Sequence, residues 1–232
     1  MLRDASITWL GHAATRIDLA DGTVLLIDPW MRDNPSCPVD PSDLDRVDVV
    51  LVTHGHFDHL GDTVEIAAAH ASQVIAIHEI SVYLEGNGLG NVVGMNIGGS
   101  VETSGGVRVT MVPAVHSSGI STDAGIVDGG SAAGFVLGLP GGSVVYHAGD
   151  TDLFGDMTLI GERHDIDLAL LPIGGHYTMG PADAAAAAQR LKPGAVLPIH
   201  WGTFPILAGT PDELRKHLTG ITVVDAEIGT PD

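Results

Sequence analysis

Val52-Thr53-His54-Gly55-His56-Phe57-Asp58-His59-Leu60-Gly61-Asp62 places three imidazoles and a carboxylate within six positions, directly after an apolar run. The run, Val47 to Val52, is rich in β-branched residues and reads as a buried strand. In extended geometry side chains at i and i+2 project to one side, so His54 and His56 can grip one ion from the same direction. Gly55 between them leaves room for close approach. The chain then turns, so Asp58 and His59 can face a second position beside the first, and two metals are suggested. A solvated polar loop with chance histidines would not be expected to combine this residue set, this spacing and this strand.

Around this stretch, 232 residues suffice for one large domain spanning 1–232 with a substantial core. Hydrophobic residues at 44% and charged residues at 17% are globular proportions, and no apolar stretch is long enough to span a bilayer. The segment Met1 to Ser6 runs into a strand-like stretch and lacks the apolar core of a signal peptide, and the single cysteine, Cys37, has no internal disulfide partner. A cytoplasmic protein is the expectation, without stable membrane insertion. The net charge of −19 opposes binding to phosphate backbones, so the expected partner is a small-molecule substrate and not nucleic acid. A homo-oligomer is left open.

Along the chain, Ile7 to Leu10, Thr15 to Leu19 and Thr23 to Ile27 are short β-rich runs, the last two joined by the hairpin signal Asp21-Gly22. Asp28-Pro29-Trp30 and the Pro-rich loop Asn34 to Pro41 follow at a strand end and are candidate site walls. Beyond the histidine cluster, a helix from Asp62, a strand Val74 to Ile77 and a helix Glu79 to Glu85 give a βαβ rhythm. Strands are expected at Gly98 to Glu102, Val107 to Val112, Ala132 to Leu139, Ser143 to Tyr146, Leu168 to Leu171 and Val196 to Ile199. The Gly-, Ser- and Asp-rich segment Ser117 to Gly130 has no periodicity and reads as a lid or a plain connection. Pro181 opens an alanine-rich helix to Leu191, and Pro211-Asp212-Glu213 starts the last one.

The recurring event is a strand that ends in a potential metal ligand: His54 and His56, then His116, Asp150 and His200. Strand ends of an α/β architecture gather on one edge, so these groups can meet. Five imidazoles and two carboxylates suit a borderline ion and not an all-oxygen calcium cage. Zinc is the first candidate, with Mn, Fe or Ni open.

His54-x-His56-x-Asp58-His59, followed by His116, by Asp150 in Ala-Gly-Asp-Thr and by His200, resembles the ligand series of the metallo-β-lactamase superfamily. Trp9-Leu10-Gly11-His12, Met95 to Gly99, Tyr146 to Asp150 and Thr178 to Pro181 are similar to its metal-dependent hydrolase branch. That branch lies near ascorbate-6-phosphate lactonase and the phospholipase D acting on N-acyl-phosphatidylethanolamine, which His200-Trp201-Gly202-Thr203-Phe204 also resembles. The resemblance implies a four-layer αββα sandwich. It implies two divalent transition-metal ions, one on His54, His56 and His116, the other on Asp58, His59 and His200, with Asp150 bridging. A shared, activated hydroxide would then attack a small ester, lactone or phosphodiester, with Asp58 as the catalytic group that orients it and moves its proton. An aspartate in place of a bridging cysteine departs from the commonest zinc β-lactamases, and a long basic arm of the ribonuclease Z kind is missing. A phosphorylated lactone would need basic partners, for which Arg32, Arg108 and Arg163 are the candidates.

Three further residues are substrate-pocket candidates: His12, His176 and Trp201. His12, in a Gly-His turn, reads equally as a contact beside the site or a structural hydrogen-bonded histidine. His176, on a strand-end loop, is a candidate catalytic group that would stabilise an oxyanion. Trp201 and Phe204 could line an apolar pocket, against core packing as the more frequent use. His147, three positions before Asp150 on a strand, should face away and pack in the core. Two other functions stay open on this scaffold, an iron-dependent oxidoreductase and a non-catalytic metal- or ligand-binding protein.

Overall fold

A computed structural model describes residues 2, 3 and 5–232; Met1 and Asp4, which belong to the N-terminal segment read above, lie outside the described residues. The chain opens with the antiparallel meander β1 (Ala5–Trp9), β2 (Thr15–Leu19) and β3 (Val24–Ile27), turning at Asp21-Gly22. The sheet then becomes parallel through β4 (Val49–Leu51), β5 (Gln73–Ile77) and β6 (Val92–Met95). The helices α1 (Phe57–Leu60), α2 (Thr63–His70) and α3 (His78–Gly86) form the crossovers.

The second sheet repeats this plan. β7 (Ser100–Glu102) and β8 (Arg108–Pro113) are followed by a separate two-stranded ribbon, β9 (Ile120–Thr122) and β10 (Gly125–Val127). The chain then returns through β11 (Ala133–Gly138), β12 (Val144–His147), α4 (Met157–Arg163), β13 (Leu168–Pro172), α5 (Pro181–Leu191), β14 (Ala195–Ile199), α6 (Pro211–His217) and β15 (Thr222–Val223). Spatial order is β15-β14-β13-β12-β11-β8-β7, parallel from β12 to β15.

Alternation along the strands builds the layers. Phe135, Leu137, Leu168, Leu170, Leu197 and Ile199 join a core shared with Ile17, Leu25 and Leu51 of the first sheet. Their neighbours Val136, Ala169, Leu171 and Val196 pack outward with Met157, Ile160, Ala184, Ala188 and Leu214 of α4 to α6. Period-two side-chain direction makes one strand serve two cores. Helices therefore cover the outer faces of two packed sheets, the αββα arrangement.

Several elements differ from the sequence reading. The ribbon β9–β10 occupies part of the stretch read as aperiodic, and α1, β6, α4 and β15 were not foreseen. Val92 to Met95 is only partly buried on a sheet edge and carries Gly94, so its pattern is weak. β15 is two residues long.

Candidate metal centre

The site begins where two neighbouring parallel strands end. β3 delivers Asp28 and β4 delivers Thr53; Asp28 accepts from the Thr53 amide at 2.8 Å and from the Thr53 hydroxyl at 2.7 Å. Asp28 is fully buried and sits at φ +49°, a conformation costly for a non-glycine residue. Its Oδ2 also accepts from His59 Nδ1 at 2.7 Å. That bond places a proton on His59 Nδ1 and makes Nε2 the nitrogen aimed into the cluster. The Thr53 hydroxyl, having donated to Asp28, accepts from His54 Nδ1 at 3.0 Å, which fixes the His54 tautomer the same way. One buried carboxylate thus orients two imidazoles. Sequence reasoning missed this role, since Asp-Pro after a strand reads as a turn; the signal was its place at the end of the strand paired with β4.

The seven predicted donors meet at one edge of the two sheets. His54, His56 and His116 have donor atoms mutually close enough for one ion, as do Asp58, His59 and His200 together with His12. Asp150 lies between the groups: Oδ1 is 3.3 Å from His59 Nε2, while Oδ2 is 3.1 Å from His200 Nε2, 3.5 Å from His116 Nε2 and 4.0 Å from His54 Nε2. Gly55 serves the approach of the ribbon: a Cβ there would lie 2.6 Å from Ile120 Cγ1 and 2.7 Å from the Ser118 carbonyl oxygen.

The donor chemistry fits cations. His59 Nε2, Asp150 Oδ1 and both ring nitrogens of His200 are buried without a hydrogen-bond partner. An unsatisfied buried polar atom costs about 1–3 kcal/mol, so His59 Nε2, Asp150 Oδ1 and His200 Nε2, which face one another in the cluster, need an occupant. His54 Nε2 and His56 Nδ1 stand 2.9 Å apart, and a proton or a cation has to separate their lone pairs. Burial works against charge on Asp150, yet His59 and His200 outweigh it and hold the carboxyl well below its usual range. For His59, burial pulls the pKa down, but Asp150 and Asp28 more than compensate and raise it well above the ordinary value.

His12 has no exposed surface and lies under the site. Its Nε2 donates to Asp58 Oδ2 at 3.0 Å and its Nδ1 accepts from the Thr203 hydroxyl at 3.1 Å. Burial lowers its pKa to about 4, so the ring is neutral near pH 7. It offers no exposed surface to the cleft, and its contact toward the site is the bond to Asp58. His176 is exposed at φ +61°, with its ring against Tyr177, and does not line the cleft above the donors, where Tyr177 does. Trp201 stacks on Trp9 with ring centroids 5.5 Å apart and donates to the Pro198 carbonyl, on the core side; Phe204 takes the place in the cleft. The three substrate-pocket candidates therefore lie outside it. His147 is buried, its Nε2 donating to the Ala13 carbonyl oxygen and its Nδ1 accepting from the Gly149 amide.

The cleft has a volume of about 530 Å³, enough for a small molecule. Its floor is His56, Asp58, His116, Asp150 and His200. Arg32 is engaged by Glu65 and Asp40, Arg108 stands at the start of β8, away from His116, and Arg163 ends α4; none of them lines it.

Residues 23–201 match the model of the β-lactamase superfamily domain. A UPF0173 metal-dependent hydrolase of Koribacter versatilis is 50% identical over 215 residues, covering 93% of this chain and 92% of that protein. A second, from Methanopyrus kandleri, is 49% identical over 212 residues, covering 91% and 90%. Among solved structures, Igni18, a metallo hydrolase from the hyperthermophilic archaeon Ignicoccus hospitalis, superposes with a TM-score of 0.88 at 36% identity, covering 98% of this chain and 97% of its own.

Proposed function

The chain belongs to the metallo-β-lactamase superfamily and to its metal-dependent hydrolases, and on that premise we propose a binuclear hydrolase of a small ester, lactone or phosphodiester. The observation that carries the reading is Asp150, buried among four imidazole nitrogens with one oxygen unpartnered. In this reading His54, His56 and His116 hold one ion, Asp58, His59 and His200 the other, and Asp150 joins them. The imidazole-rich set favours zinc, with Mn, Fe or Ni as alternatives. Two such cations supply Lewis acidity and lower the pKa of a shared water.

The chain's own groups account for the rest. Asp58 lines the cleft with one oxygen tied to His12 Nε2–H, and the lone pairs that remain on its carboxylate would both reach the second ion and orient an attacking water, accept its proton and return it to the departing oxygen. Burial disfavours charge on Asp58, but the bond from His12 and the field of His59 hold its pKa well below the usual carboxylate range, so it enters the reaction ionised. His12 and Thr203 keep that carboxylate from rotating.

An apolar core common to both sheets supports 1–232 as one domain. No helix among the described residues is long and apolar enough to cross a membrane. The lone, half-buried Cys37 suits a reducing compartment, and the cytoplasm is the proposed location.

Metal analysis tests the centre. Reconstitution with Zn²⁺ or Mn²⁺ should reach two ions per chain, and Asp150→Ala should lose or weaken at least one of them with collapse of hydrolysis. A ratio that stays at or below one in the native chain refutes the binuclear centre.

A further inference from the structure

Resting on that reading, we propose that the enzyme selects neutral substrates whose non-reacting part is apolar, and discriminates against those carrying a phosphate or carboxylate away from the bond that breaks. Polar donors are confined to the floor of the cleft. The walls are Phe57, Tyr177, Phe204 and Ile206, relieved by the hydroxyls of Ser117, Ser121 and Tyr177 itself. Phe57, Tyr177 and Ile206 are 60%, 59% and 47% exposed, and large apolar side chains gathered in the open around one cleft mark a binding surface. Ile126, paired directly with Ser121 across the ribbon, shares the face Ser121 turns to the cleft and is 79% exposed.

The wall is also held in place. Trp30, buried beneath it, meets Phe57 edge-on at 5.6 Å and Phe204 in a stack at 5.8 Å between ring centroids. Aromatic packing of this kind fixes the two rings as a rigid surface for a chain or ring of the substrate.

Charge supplies the discrimination. None of the cleft residues is Lys or Arg. Arg32 is occupied by Glu65 and Asp40, and Arg108 precedes Pro113, the end of β8 nearer the site, by five strand positions, or roughly 17 Å. A remote anion would lie against aromatic carbon with no cation to replace its hydration, in the field of a chain of net charge −19. Cations on the floor attract the reacting oxygen in either case, so the difference between substrates rests on the walls.

A matched pair isolates this term. The p-nitrophenyl ester of hexanoate and the mono-p-nitrophenyl ester of adipate have equal chain lengths and differ by a terminal carboxylate. With the zinc-loaded enzyme kcat/KM should be at least tenfold higher for hexanoate. Hexanoate should also exceed acetate, and Phe204→Ala should erase that gain. Ile206→Arg, at an exposed position, should narrow the hexanoate-to-adipate ratio by raising the adipate rate. Calorimetry of hexanohydroxamate against adipic monohydroxamate reads the same preference without turnover. Equal rates or equal affinities within either pair overturn the inference alone; failure of both hydroxamates to bind zinc-loaded protein overturns the metal site on which it rests.

Discussion

Asp28 carries more of the centre than any residue outside the donor set. It fixes His59 directly and His54 through Thr53, so removing its charge while keeping its shape should disturb both rings. Asp28→Asn presents an amide that can donate to His59 Nδ1, which favours the wrong tautomer. We expect zinc affinity to fall about 10- to 100-fold, the usual loss for a partner of a metal-bound histidine, measured by competition with a chromophoric chelator. Unchanged affinity would assign Asp28 to folding alone. The donors were legible because their type and spacing are rare together; Asp28 was not, because its meaning comes from a strand that adjoins it only in space. The same limit applied to His12, His176 and Trp201: each stands at a strand end, and only backbone direction decides which side chains enter the cleft. His12 and His176 take left-handed conformations, which turn them away from the course an extended chain would set.

Among the elements, the ribbon β9–β10 was the least readable, since its glycines, serines and aspartate mask two three-residue strands. It is tied to the histidine loop: the Gly55 amide donates to the Ser118 hydroxyl at 3.1 Å, that hydroxyl donates to the Gly129 carbonyl at 3.0 Å, and Ile120 is buried. Gly55→Ala has no room for its methyl group and should push the ribbon away from the His54–His56 hinge. We expect a loss of about 1–3 kcal/mol in stability, with weaker metal binding. Gly55→Ala with Ile120→Ala removes one of the two clashing groups and should recover part of the metal affinity. No difference between the single variant and the native chain would show the contact to be slack. At the far end of the chain the helix start was legible, and Thr210 and Glu213 form a reciprocal cap on α6. Thr210→Ala should cost about 1 kcal/mol, or roughly 2–4 °C in Tm, with metal content unchanged.

On the scale of the whole molecule, pattern carried the strands, continuous apolar runs such as Val49 to Leu51 and Leu168 to Leu171 announcing strands covered on both faces, while the αββα layering was implied by the family resemblance of the ligand series. The edge strands β6 and β15 escaped because short, half-buried pieces carry little pattern. The same global view sets the response to acid, where two effects compete. Lowering pH discharges carboxylates and reduces the self-repulsion of a chain at −19. It also charges histidines in the unfolded chain that the fold keeps neutral. His12 is lowered to about 4, chiefly by burial, and His54, His56, His116 and His147 are lowered as well, burial being the largest cause in each. For a group depressed in the folded state, stability is fully present above the unfolded pKa near 6.5 and is lost as pH falls toward the folded value. His12 alone accounts for about 3 kcal/mol across that window. His59, raised, has the opposite sign, one group against five. Metal-free protein in 0.5 M salt, where the Debye length is only a few ångströms and repulsion is screened, should therefore lose Tm steadily from pH 7 to pH 5. At pH 7, raising salt from 0.02 M to 0.5 M should raise Tm instead. Metal-loaded protein should show a steeper acid loss, since protons then compete with the ions for the same nitrogens. A Tm that holds or rises on acidification in high salt would mean that these rings, His12 among them, are charged within the fold.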